Sequence, residues 1–578
     1  MNGIGTMVIR ADADAVLGVG HVARCLAMAQ QWHAAGGRVV GVGHLPTGVV
    51  QGGLGRQLES AGVTWVHLPD AVGNGPSPSP ESQDPAPLLR VLHTERPSWT
   101  VLDGYHFEQG YIEAIRESAG HVMVIDDSFR AADWPIDILL NPSPEAPWMD
   151  KIVPPMKIGL LGPRFLPLRT EFERRERETT QPRRTSDASL AHAHSAERGQ
   201  LESDAYQIEP TDSIRLLVSV GGSDPARLTE RVLDALAILR KNRDNNLGWD
   251  VRVVAGPANS RYSALADRAD VASREESPEA SSEDDPERCP DIEPGQVRVC
   301  LLREVHAMRA LMDWADLALT AAGGTCWELA ALRVPMLLVT VADNQRPSAQ
   351  WLARHDAAHW IGQTSGLTPH RLATELLSVA SDAHLRRRLS AAAGRAIDGR
   401  GAARVLAIMR GLTEPAPATS SDCHLRPIAP EDSSAVWRLT NDPTVRRWSL
   451  RSELITAKAH KSWFAERLAD PGCLIWGLEL AGLLVGSIRY QRELGPDGPE
   501  AIISFQVHSV FRGRGLGRFL LEKTMESAIE QLAVPRLTAF VLKENTPSHR
   551  CFQRQAFERN NARCTETKAC YTFVVHQE

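Results

Sequence analysis

Residues 7–33 read MVIRADADAVLGVGHVARCLAMAQQWH. This stretch begins with a short apolar strand at 7–10, continues into a glycine-rich turn at 17–21 and ends in a helical pattern at 22–33. Further strand patterns at 38–42, 99–103 and 122–127 are separated by helical patterns. Alternation of strands and helices in this way predicts a parallel α/β sheet for the first part of the chain.

A second unit repeats this alternation. Its strand patterns lie at 215–220, 251–256, 317–320 and 335–341, and arginine-rich helices close it near residue 410. Each of the two units carries a glycine-rich turn from strand to helix, which predicts two Rossmann-type domains with a cleft between them, the GT-B arrangement. Ligands of such sheets bind outside the carboxyl ends of the strands.

The last part of the chain has a different pattern. A hairpin is predicted at 474–480 and 483–490, then a strand at 501–510, a helix at 518–532 and a strand at 536–542. The predicted fold class is therefore α/β, with a GT-B-like pair of domains followed by a C-terminal α+β domain.

The predicted domain boundaries follow composition. Segments rich in proline, serine and charge bury too little apolar surface to fold, so they are predicted as loops or linkers. The predicted units are a first Rossmann-like domain at 1–177, a disordered insertion at 178–210, a second Rossmann-like domain at 211–411 with an insertion at about 273–294, a linker at 412–423 and the last domain at 424–578. A further insertion is predicted at 71–87.

Composition narrows the function classes. The chain has 578 residues and a net charge of -7, which argues against a nucleic-acid partner. Its nine cysteines are scattered without a C-x-x-C pair, so no metal site is predicted and reduced thiols in the cytoplasm are favoured. No signal peptide is apparent, and charges interrupt the most apolar stretch, so no membrane contact is predicted.

His21 is the candidate catalytic residue of the first unit. It lies in the first strand-to-helix turn, and an imidazole with an ordinary pKa near 6.5 suits proton transfer at neutral pH. The alternative is a histidine that only caps the helix or binds phosphate. Candidate substrate-binding residues in the same unit are Arg10, Asp12, Gly20, Asp103 and Tyr105.

The second unit offers a diphosphate site. Ala322, Gly323 and Gly324 precede a helix, whose free N–H groups and dipole favour an anion. Glu328, one turn further on, is predicted to accept hydrogen bonds from ribose hydroxyls. Further candidate substrate-binding residues are Gly222, Ser223, Asn344 and Gln345. The chain lacks a G-x-x-x-x-G-K-[ST] run, which argues against an ATPase.

In the last domain a strand leads into Arg512-Gly513-Arg514-Gly515-Leu516-Gly517, a turn suited to a cofactor pyrophosphate. Together with Asn545-x-x-Ser548 and Ala556-Phe557, this turn resembles the GNAT acetyltransferase superfamily over about residues 424–575. The resemblance implies acetyl-CoA as cosubstrate, bound along the strand by Val507 and Val510. It also implies contacts with Arg512, Arg514, Gly515, Gly517, Arg518 and Asn545.

Three further predictions concern this domain. Phe552 stands where the family usually has a tyrosine proposed to protonate the leaving thiolate, so either water or another group supplies the proton, or acetyl transfer is slow or lost. His508 is a candidate general base, with a structural strand residue as the alternative. Trp448, Trp463 and Trp476 are candidates to line an acceptor pocket, with core packing the alternative.

The first two units contain an ordered set of motifs. The set comprises residues 10–14, Gly18-x-Gly20-His21-Val22-x-Arg24-Cys25-Leu26, Asp103-Gly104-Tyr105, Asp126-Asp127, Gly221-Gly222-Ser223-Asp224 and Asn344-Gln345. It resembles the PseG family of UDP-2,4-diacetamido-2,4,6-trideoxy-β-L-altropyranose hydrolases, which are similar to MurG-type GT-B glycosyltransferases. The resemblance implies that the histidine matching His21 activates water and that the sugar is released with inversion. No metal is implied.

Two alternatives stay open. The first is a GT-B glycosyltransferase that uses a UDP-sugar and is fused to a GNAT domain. The second is a nucleotide-sugar-binding scaffold with a degenerate acetyltransferase. Under the hydrolase interpretation the acetyl acceptor is predicted to be an amine such as the C4 amine of the UDP-amino-sugar precursor in the pseudaminic acid pathway, as in PseH. The predicted partners are therefore small molecules.

Overall fold

The computed structural model of the chain describes residues 4–13, 20–46, 53–68, 84–149, 157–174, 213–221, 224, 226–242, 245–256, 259, 261–273, 292–303, 305, 307–413, 422–449 and 451–574. The predicted insertion at 178–210 lies outside these residues, as do most of the segments at 71–87, 273–294 and 412–423. At the edges of the last three, helices begin at Ala86 and end at Ser273 and Thr413, so the predicted loops are shorter than expected there.

The first unit is a parallel sheet of seven strands in the order β3-β2-β1-β4-β5-β6-β7. Its strands are β1 (Thr6–Ala11), β2 (Arg38–Gly43), β3 (Val63–His67), β4 (Trp99–Asp103), β5 (His121–Ile125), β6 (Ile138–Asn141) and β7 (Ile158–Leu161). The described helices around it are α1 (Gly20–Ala34), α2 (Gly53–Ser60), α3 (Ala86–Glu95) and α4 (Gln109–Ile115). Every residue of β4 is buried, as expected for a central strand covered on both faces.

The second unit is a parallel sheet of six strands in the order β10-β9-β8-β11-β12-β13. Its strands are β8 (Ser213–Ser219), β9 (Gly248–Ala255), β10 (Val297–Arg303), β11 (Leu317–Ala321), β12 (Met336–Thr340) and β13 (His359–Gln363). Its helices are α5 (Leu228–Lys241), α6 (Tyr262–Ser273), α7 (Met308–Trp314), α8 (Gly324–Ala331), α9 (Arg346–Arg354), α10 (Pro369–Ser381), α11 (Ala383–Ala396) and α12 (Gly401–Thr413).

Both parallel sheets reverse their strand order beside the first strand of the unit. The reversal lies between β1 and β4 in the first sheet and between β8 and β11 in the second. A crevice forms at such a point because the helices on its two sides cover opposite faces of the sheet. The structure thus has one crevice at the carboxyl ends of β1 and β4, and another at the carboxyl ends of β8 and β11.

Helix α12 is the last helix of the second unit in sequence, but it packs on the first unit. Its apolar side chains, Val405 and Met409 among them, belong to the same buried cluster as Val22 and Leu26 of α1. The same cluster continues into the last domain. A helix of the predicted second domain therefore connects the first sheet to the C-terminal domain.

The C-terminal domain is a mixed sheet in the order β14-β15-β16-β17-β18-β20-β19. Its strands are β14 (Cys423–Pro427), β15 (Cys473–Leu480), β16 (Leu483–Gly495), β17 (Gly498–Val507), β18 (Arg536–Leu542), β19 (Glu558–Arg559) and β20 (Lys568–Val574). Its helices are α13 (Ser433–Thr440), α14 (Pro443–Arg447), α15 (Ala457–Ala469), α16 (Leu516–Leu532) and α17 (Thr546–Gln553).

The predicted fold class is confirmed by these three sheets. The predicted strand at 501–510 was wrong at its end, because β17 stops at Val507 and residues Ser509–Phe511 form a 3-10 turn. Val510 therefore lies in the turn. None of the helices in the described part of the chain is both long and apolar enough to cross a membrane.

Candidate active sites

His21 and Asp103 form the centre of the first site. Asp103 is the last residue of β4, and His21 is the second residue of α1, so both lie at the crevice beside β1. The His21 Nδ1 is 2.6 Å from Asp103 Oδ1, and both side chains are buried. A carboxylate partner favours the tautomer with its proton on Nδ1, which leaves Nε2 to accept a proton.

Arg24 holds Asp103 from the other side. It lies one turn after His21 on α1, and it donates to Asp103 through Nε at 3.0 Å and Nη2 at 2.7 Å. Burial alone would raise the pKa of Asp103, but the positive charge of Arg24 and the hydrogen bond with His21 outweigh it and lower that pKa. Asp103 is therefore ionised at neutral pH.

Asp127 and Tyr105 extend the cluster toward solvent. Arg24 also donates through Nη1 to both carboxylate oxygens of Asp127, at 2.9 and 3.1 Å. The Tyr105 hydroxyl donates to Asp127 Oδ2 at 3.2 Å, and its ring lies edge-on to the His21 ring with 4.9 Å between centroids. Burial and the nearby negative charge raise the pKa of Tyr105 to about 12. Tyr105 therefore keeps its proton, and it is half exposed beside His21.

Asp12 is enclosed by its own partners. Its Oδ1 accepts from Arg10 Nη1 at 2.6 Å and from the backbone N–H of His44 at 2.7 Å, and its Oδ2 lies 3.2 Å from His106 Nε2. Burial opposes ionisation, but the contacts with His106 and Arg10 lower the pKa of Asp12 well below its usual range. Asp12 thus organises Arg10 and His106 at the end of β1, where the sequence predicted a direct contact with substrate.

The second crevice contains the glycine turn before α8. Gly323 is the N-cap of this helix, and a side chain built at Gly324 would meet no other atom within 4 Å. The Gln345 side chain lies close by, with its Nε2 3.8 Å from a Cβ built at Gly323. An anion could bind at this turn, because the space is open and both backbone N–H groups and a side-chain amide are available to donate. Ala322 before the turn is buried, whereas Asn344 is exposed.

Glu328 on α8 contacts the first unit. Its Oε1 accepts from Arg169 Nη2 at 3.0 Å, and this arginine follows the first sheet in sequence. Burial raises the pKa of Glu328, and the charge of Arg169 opposes the rise. Among the other predicted contacts of this crevice, Gly222 and Ser223 lie outside the described residues. Asp224 next to them caps α5, because its carboxylate accepts from the N–H groups of Leu228 and Thr229.

Arg24, Asp127 and His106 are site residues that the sequence did not assign. Arg24 and Asp127 stand within the quoted motifs, but the contacts of Arg24 with Asp103 and Asp127 join distant parts of the chain. Arg24 also stands three residues after His21, a spacing that brings two side chains together on a helix. Across the ranges that the structure covers, no group of three or more histidine, cysteine or acidic side chains is arranged to hold a metal ion.

The glycine loop of the C-terminal domain has the predicted shape. Gly513 and Gly515 have φ values of +78° and +81°, and Gly515 is the N-cap of α16. This left-handed backbone favours glycine and leaves the first N–H groups of α16 uncovered. A Cβ built at Gly515 would meet no atom within 4 Å. The loop thus leaves the N-terminus of a helix of 17 residues open, an arrangement that suits an anion.

The arginines of this loop are held by neighbouring elements. Arg512 donates through Nε to the carbonyl of Val507 at 2.9 Å and also contacts Asp442 and Thr444. Arg514 donates to the carbonyl of Gly411 on α12 at 3.1 Å. Arg518 lies 3.4 Å from Glu522 on the surface of α16. Arg512 and Arg514 therefore fix the loop against α14 and α12.

Strands β17 and β18 separate beside the loop. Their parallel pairing ends at Ile503 and Ala539, although β17 continues to Val507 and β18 to Leu542. The backbone groups of β17 between Ile503 and its end that would face β18 are therefore left for another partner. A gap of this kind can accept an extended ligand along the strand edge. Asn545 lies after β18 and caps α17 through the N–H of Ser548.

The side chains of Phe552 and His508 are both held by contacts within the protein. Phe552 is buried and stacks on Tyr571, with 5.8 Å between ring centroids. The Nδ1 of His508 accepts from the N–H of Val510, and burial lowers the pKa of His508 to about 4. His508 lines a cavity of about 110 Å³ together with Pro147 and Lys157 of the first unit. The structure thus gives His508 a capping role at the domain interface, which agrees with the structural alternative.

Two family models match the chain. Residues 423–558 match the acetyltransferase (GNAT) domain, and residues 291–401 match the glycosyltransferase family 28 C-terminal domain. The chain therefore combines a glycosyltransferase-like α/β part with a GNAT acetyltransferase domain, and the predicted fusion is confirmed. The acetyltransferase match also agrees with acetyl-CoA as the predicted cosubstrate of the C-terminal domain.

One curated relative is the spore coat polysaccharide biosynthesis protein SpsG of Bacillus subtilis (strain 168). It is 26% identical over 203 residues, which cover 35% of this chain. The match spans 52% of the length of that relative.

Solved structures similar to the chain fall into two groups. MurG of Acinetobacter baumannii is 16% identical, covers 70% of this chain and 99% of its own, and has a TM-score of 0.46. A ribosomal-protein-alanine N-acetyltransferase from Brucella melitensis is 22% identical, covers 26% of this chain and 99% of its own, and has a TM-score of 0.24.

Proposed function

We propose that the first two units hydrolyse a UDP-linked 2,4-diacetamido-2,4,6-trideoxy sugar to UDP and the free sugar. The C-terminal domain would transfer an acetyl group from acetyl-CoA to an amine. The observation that carries the hydrolase proposal is the pair formed by His21 and Asp103 at the crevice of the first sheet, with Nδ1 and Oδ1 2.6 Å apart. The ordered motifs that resemble PseG supply the substrate class.

In the proposed reaction, His21 Nε2 removes a proton from water while Asp103 holds Nδ1. The water oxygen bonds to the anomeric carbon of the sugar from the face opposite UDP, and the bond from that carbon to the diphosphate oxygen breaks. UDP leaves as a stabilised anion, and the configuration at C1 inverts. Asp103 stabilises the imidazolium that forms, because it is ionised and in direct contact with the ring.

The UDP group is proposed to bind at the second crevice. The N-terminus of α8 at Gly323 and Gly324 would hold the diphosphate, and Gln345 would donate to it from the side. Glu328, positioned by Arg169, would accept hydrogen bonds from the ribose. No group in this scheme needs a metal, since helix N–H groups and amide donors supply the contacts to phosphate.

The test is incubation of the purified protein with UDP-2,4-diacetamido-2,4,6-trideoxy-β-L-altropyranose, without an acceptor, followed by proton NMR. We expect UDP and the inverted free sugar from the wild type and neither product from His21→Ala. His33→Ala, at the exposed far end of the same helix, is the matched control and should keep full activity. An intact substrate with the wild type would refute hydrolysis of this sugar.

A glycosyltransferase is the second candidate, because residues 291–401 match a glycosyltransferase domain. A glycosyltransferase would release UDP only when a sugar acceptor is present. The same NMR experiment separates the two functions, since hydrolysis releases UDP in water alone.

The acetyltransferase proposal is supported by the open loop at Gly515 and by the gap between β17 and β18. The loop would bind the pyrophosphate of acetyl-CoA, and the free edge of β17 would pair with its pantetheine arm. Binding of acetyl-CoA measured by calorimetry, and CoA release on adding an amino sugar, test the two parts of this proposal separately. Binding without CoA release would favour a degenerate acetyltransferase.

A further inference from the structure

Arg438, on α13 of the C-terminal domain, lies against the loop that follows β6 of the first unit. Its guanidinium donates through Nε to the carbonyl of Pro147 at 3.0 Å. Through Nη2 it donates to the carbonyls of Ala146 and Met149, both at 2.8 Å. Residues Ala146–Trp148 form a single 3-10 turn, and so short a turn leaves most of its carbonyls to other donors. An arginine of one domain therefore caps a turn of another.

Aromatic contacts hold the same loop on the C-terminal domain. The Trp148 ring stacks on the Trp437 ring of α13, with 6.0 Å between centroids and 25° between the planes. Lys461 of α15 places its Nζ 3.9 Å from the centroid of the Trp148 ring. The Trp437 ring is itself fixed, because its Nε1 donates to the carbonyl of Ile455 at 2.7 Å. The loop after β6 is thus in contact with both α13 and α15.

Arg438 also contacts the loop that follows β5. Its central carbon lies 5.4 Å from the centroid of the Phe129 ring, which is buried. Phe129 and Ala146 belong to one buried apolar cluster, so the loops after β5 and β6 share a core. In the sheet order these two strands come directly after β4, which ends at Asp103. Arg438 therefore touches both loops at the edge of the sheet where the first site lies.

The backbone of Phe129 needs support from its surroundings. Its φ is +62° and its ψ is +23°, in the left-handed region that a phenylalanine rarely adopts. Strain of this kind persists only where neighbouring contacts fix the residue. The burial of the ring and the guanidinium of Arg438 over it are such contacts. The shape of the loop after β5 therefore depends in part on a side chain of the C-terminal domain.

The loop after β5 carries Asp127, one of the carboxylates of the first site, two residues before Phe129. Asp127 accepts hydrogen bonds from Arg24 and from Tyr105. Arg130, on the other side of Phe129, donates to the carbonyl of Tyr105 at 2.9 Å. A displacement of this loop would therefore move Asp127 away from Arg24 and loosen the support of the proposed base.

We infer that Arg438 is a positioning residue for the proposed hydrolysis, although it lies on the acetyltransferase domain. It acts through the loops after β5 and β6, and so through Asp127 and Arg24. Their contacts support the pair formed by His21 and Asp103. This inference rests on the proposed hydrolase function. It gives the C-terminal domain a second role, because the first site reaches full activity only when α13 packs on these loops.

Kinetics of the full chain test this inference. UDP release from UDP-2,4-diacetamido-2,4,6-trideoxy-β-L-altropyranose is followed for the wild type and for Arg438→Gln. We expect kcat to fall by about 10- to 100-fold, the effect of a small misplacement of catalytic groups. The KM for the UDP-sugar should not change, because UDP is proposed to bind at the second crevice. Arg438→Lys keeps a cation over Phe129 and donors for the carbonyls, so it should recover part of kcat.

Arg164→Gln is the matched control. Arg164 forms an ion pair with Glu479 of β15 at 2.6 Å, across the same boundary between the first unit and the C-terminal domain. It follows β7, however, the edge strand that lies three strands from β4. Its replacement should leave kcat unchanged, and all three variants should bind acetyl-CoA as the wild type does. A similar decrease in kcat in Arg164→Gln and Arg438→Gln would overturn the specific role of Arg438.

A double variant tests the route through Asp127. If Arg438 acts through this carboxylate, Arg438→Gln should lower kcat much less in an Asp127→Asn background than in the wild type, because the support is already lost. A purely structural role would give the same fold decrease in both backgrounds. That result would overturn the proposed route.

Hydrogen exchange reports on the loop without any sugar. The N–H groups of Ser128 and Ala131 donate to Asp126 at 2.9 and 2.7 Å, which protects them from exchange. We expect mass spectrometry to show faster exchange over residues 126–131 in Arg438→Gln and no change in Arg164→Gln. A wild type that releases no UDP would refute the proposed hydrolysis itself. An active wild type with an equally active Arg438→Gln would overturn this inference alone.

Discussion

The Nδ1 of His21 and Oδ1 of Asp103 lie 2.6 Å apart in the first crevice, between residues 82 positions apart in sequence. The contact sets which ring nitrogen carries the proton. It also fixes the direction in which Nε2 points, because Asp103 holds the imidazole at Nδ1 and the Tyr105 ring makes an edge contact with it. A base in this arrangement needs its carboxylate partner as much as its own imidazole.

Replacing Asp103 with asparagine should therefore abolish most of the proposed hydrolysis. An amide at this position can donate to Nδ1, which moves the ring proton to Nε2 and removes the base. We expect kcat to fall by about 10³- to 10⁴-fold with little change in the KM for the UDP-sugar. The measurement is UDP release by Asp103→Asn and by the wild type.

Asp137→Asn is the matched control for this variant. Asp137 also pairs with an arginine and a histidine. Whereas Asp103 lies at the carboxyl end of β4, however, Asp137 precedes β6 and so lies at the amino ends of the strands. Its replacement should leave kcat unchanged. A similar decrease in both variants would mean that the loss comes from a weakened sheet and would contradict the role of Asp103.

Arg24 should act as a positioning residue. It donates to Asp103 through Nε and Nη2 and to Asp127 through Nη1, so a side chain with one ammonium group cannot replace all of these contacts. We expect Arg24→Gln to lower kcat by about 100-fold and Arg24→Lys to recover part of it, while UDP binding stays unchanged by calorimetry. Arg116→Lys, at a second arginine–aspartate pair of the same sheet, should have no effect on kcat. Weaker UDP binding in Arg24→Gln would instead indicate a direct contact with substrate.

Much of the fold follows from the sequence because the central strands are short apolar runs that end at glycine or aspartate. The strand at 99–103 has the bounds of β4 in the structure. The strand predicted at 501–510 is too long, since Val510 and Phe511 continue the apolar run after the chain has turned. Apolar content alone does not distinguish a buried turn from a strand.

The site was harder to predict than the fold. His21, Asp103 and Tyr105 were predicted as site residues because they follow strands in recognisable motifs, and the structure brings them together. The joint contact of Arg24 with Asp103 and Asp127 joins positions 79 and 103 residues apart, so sequence spacing does not reveal it. For the same reason the sequence did not indicate that α12 packs on α1, because chain order assigned that helix to the second unit.

Glu500 and Arg563 form a buried pair that should control the stability of the C-terminal domain. Arg563 donates to the two carboxylate oxygens at 2.6 and 2.8 Å, and Glu500 is 2% exposed. Arg563→Ala would leave a buried carboxylate without its cation, which typically costs about 3–5 kcal/mol. We expect the thermal transition that acetyl-CoA shifts to occur at a lower temperature in this variant, as measured by calorimetry. An unchanged transition would show that the pair contributes little.

The same pair gives a pH dependence with a defined sign. Burial opposes ionisation, but the hydrogen bonds from Arg563 and Thr538 lower the pKa of Glu500 below its ordinary value of 4.5. The stabilisation by ionised Glu500 is therefore complete above that ordinary value and is lost as the pH falls through the lowered pKa. The stabilities of the wild type and Glu500→Gln should differ most at neutral pH, and the difference should shrink as the pH falls below 4.5 and through the lowered pKa. A constant difference across this range would contradict the assignment.

Gly515 should matter more for the binding of acetyl-CoA than for folding. With φ at +81°, any side chain there costs about 1–2 kcal/mol of backbone strain. Gly498 is the first residue of β17 after the hairpin turn, with φ at +106° and open space around it, so Gly498→Ala carries a comparable strain away from the loop. We expect only Gly515→Ala to weaken acetyl-CoA binding, by about tenfold, in calorimetric titration. Equal affinities in the two variants would exclude the loop as the pyrophosphate site.

Phe552→Tyr should accelerate acetyl transfer. The wild-type side chain is buried between Phe505 and Tyr571 and has no hydroxyl to protonate the departing thiolate. A tyrosine in the same rotamer would add one oxygen at the far end of the ring, where the resembling family carries its proton donor. General acid catalysis contributes about 10²- to 10⁴-fold when it is fully effective, so even partial function should raise kcat by more than tenfold. The measurement is CoA release at saturating acetyl-CoA and acceptor, with Phe557→Tyr as the control for a hydroxyl added to the same aromatic cluster. An unchanged kcat in Phe552→Tyr would show that protonation of the thiolate does not limit this domain.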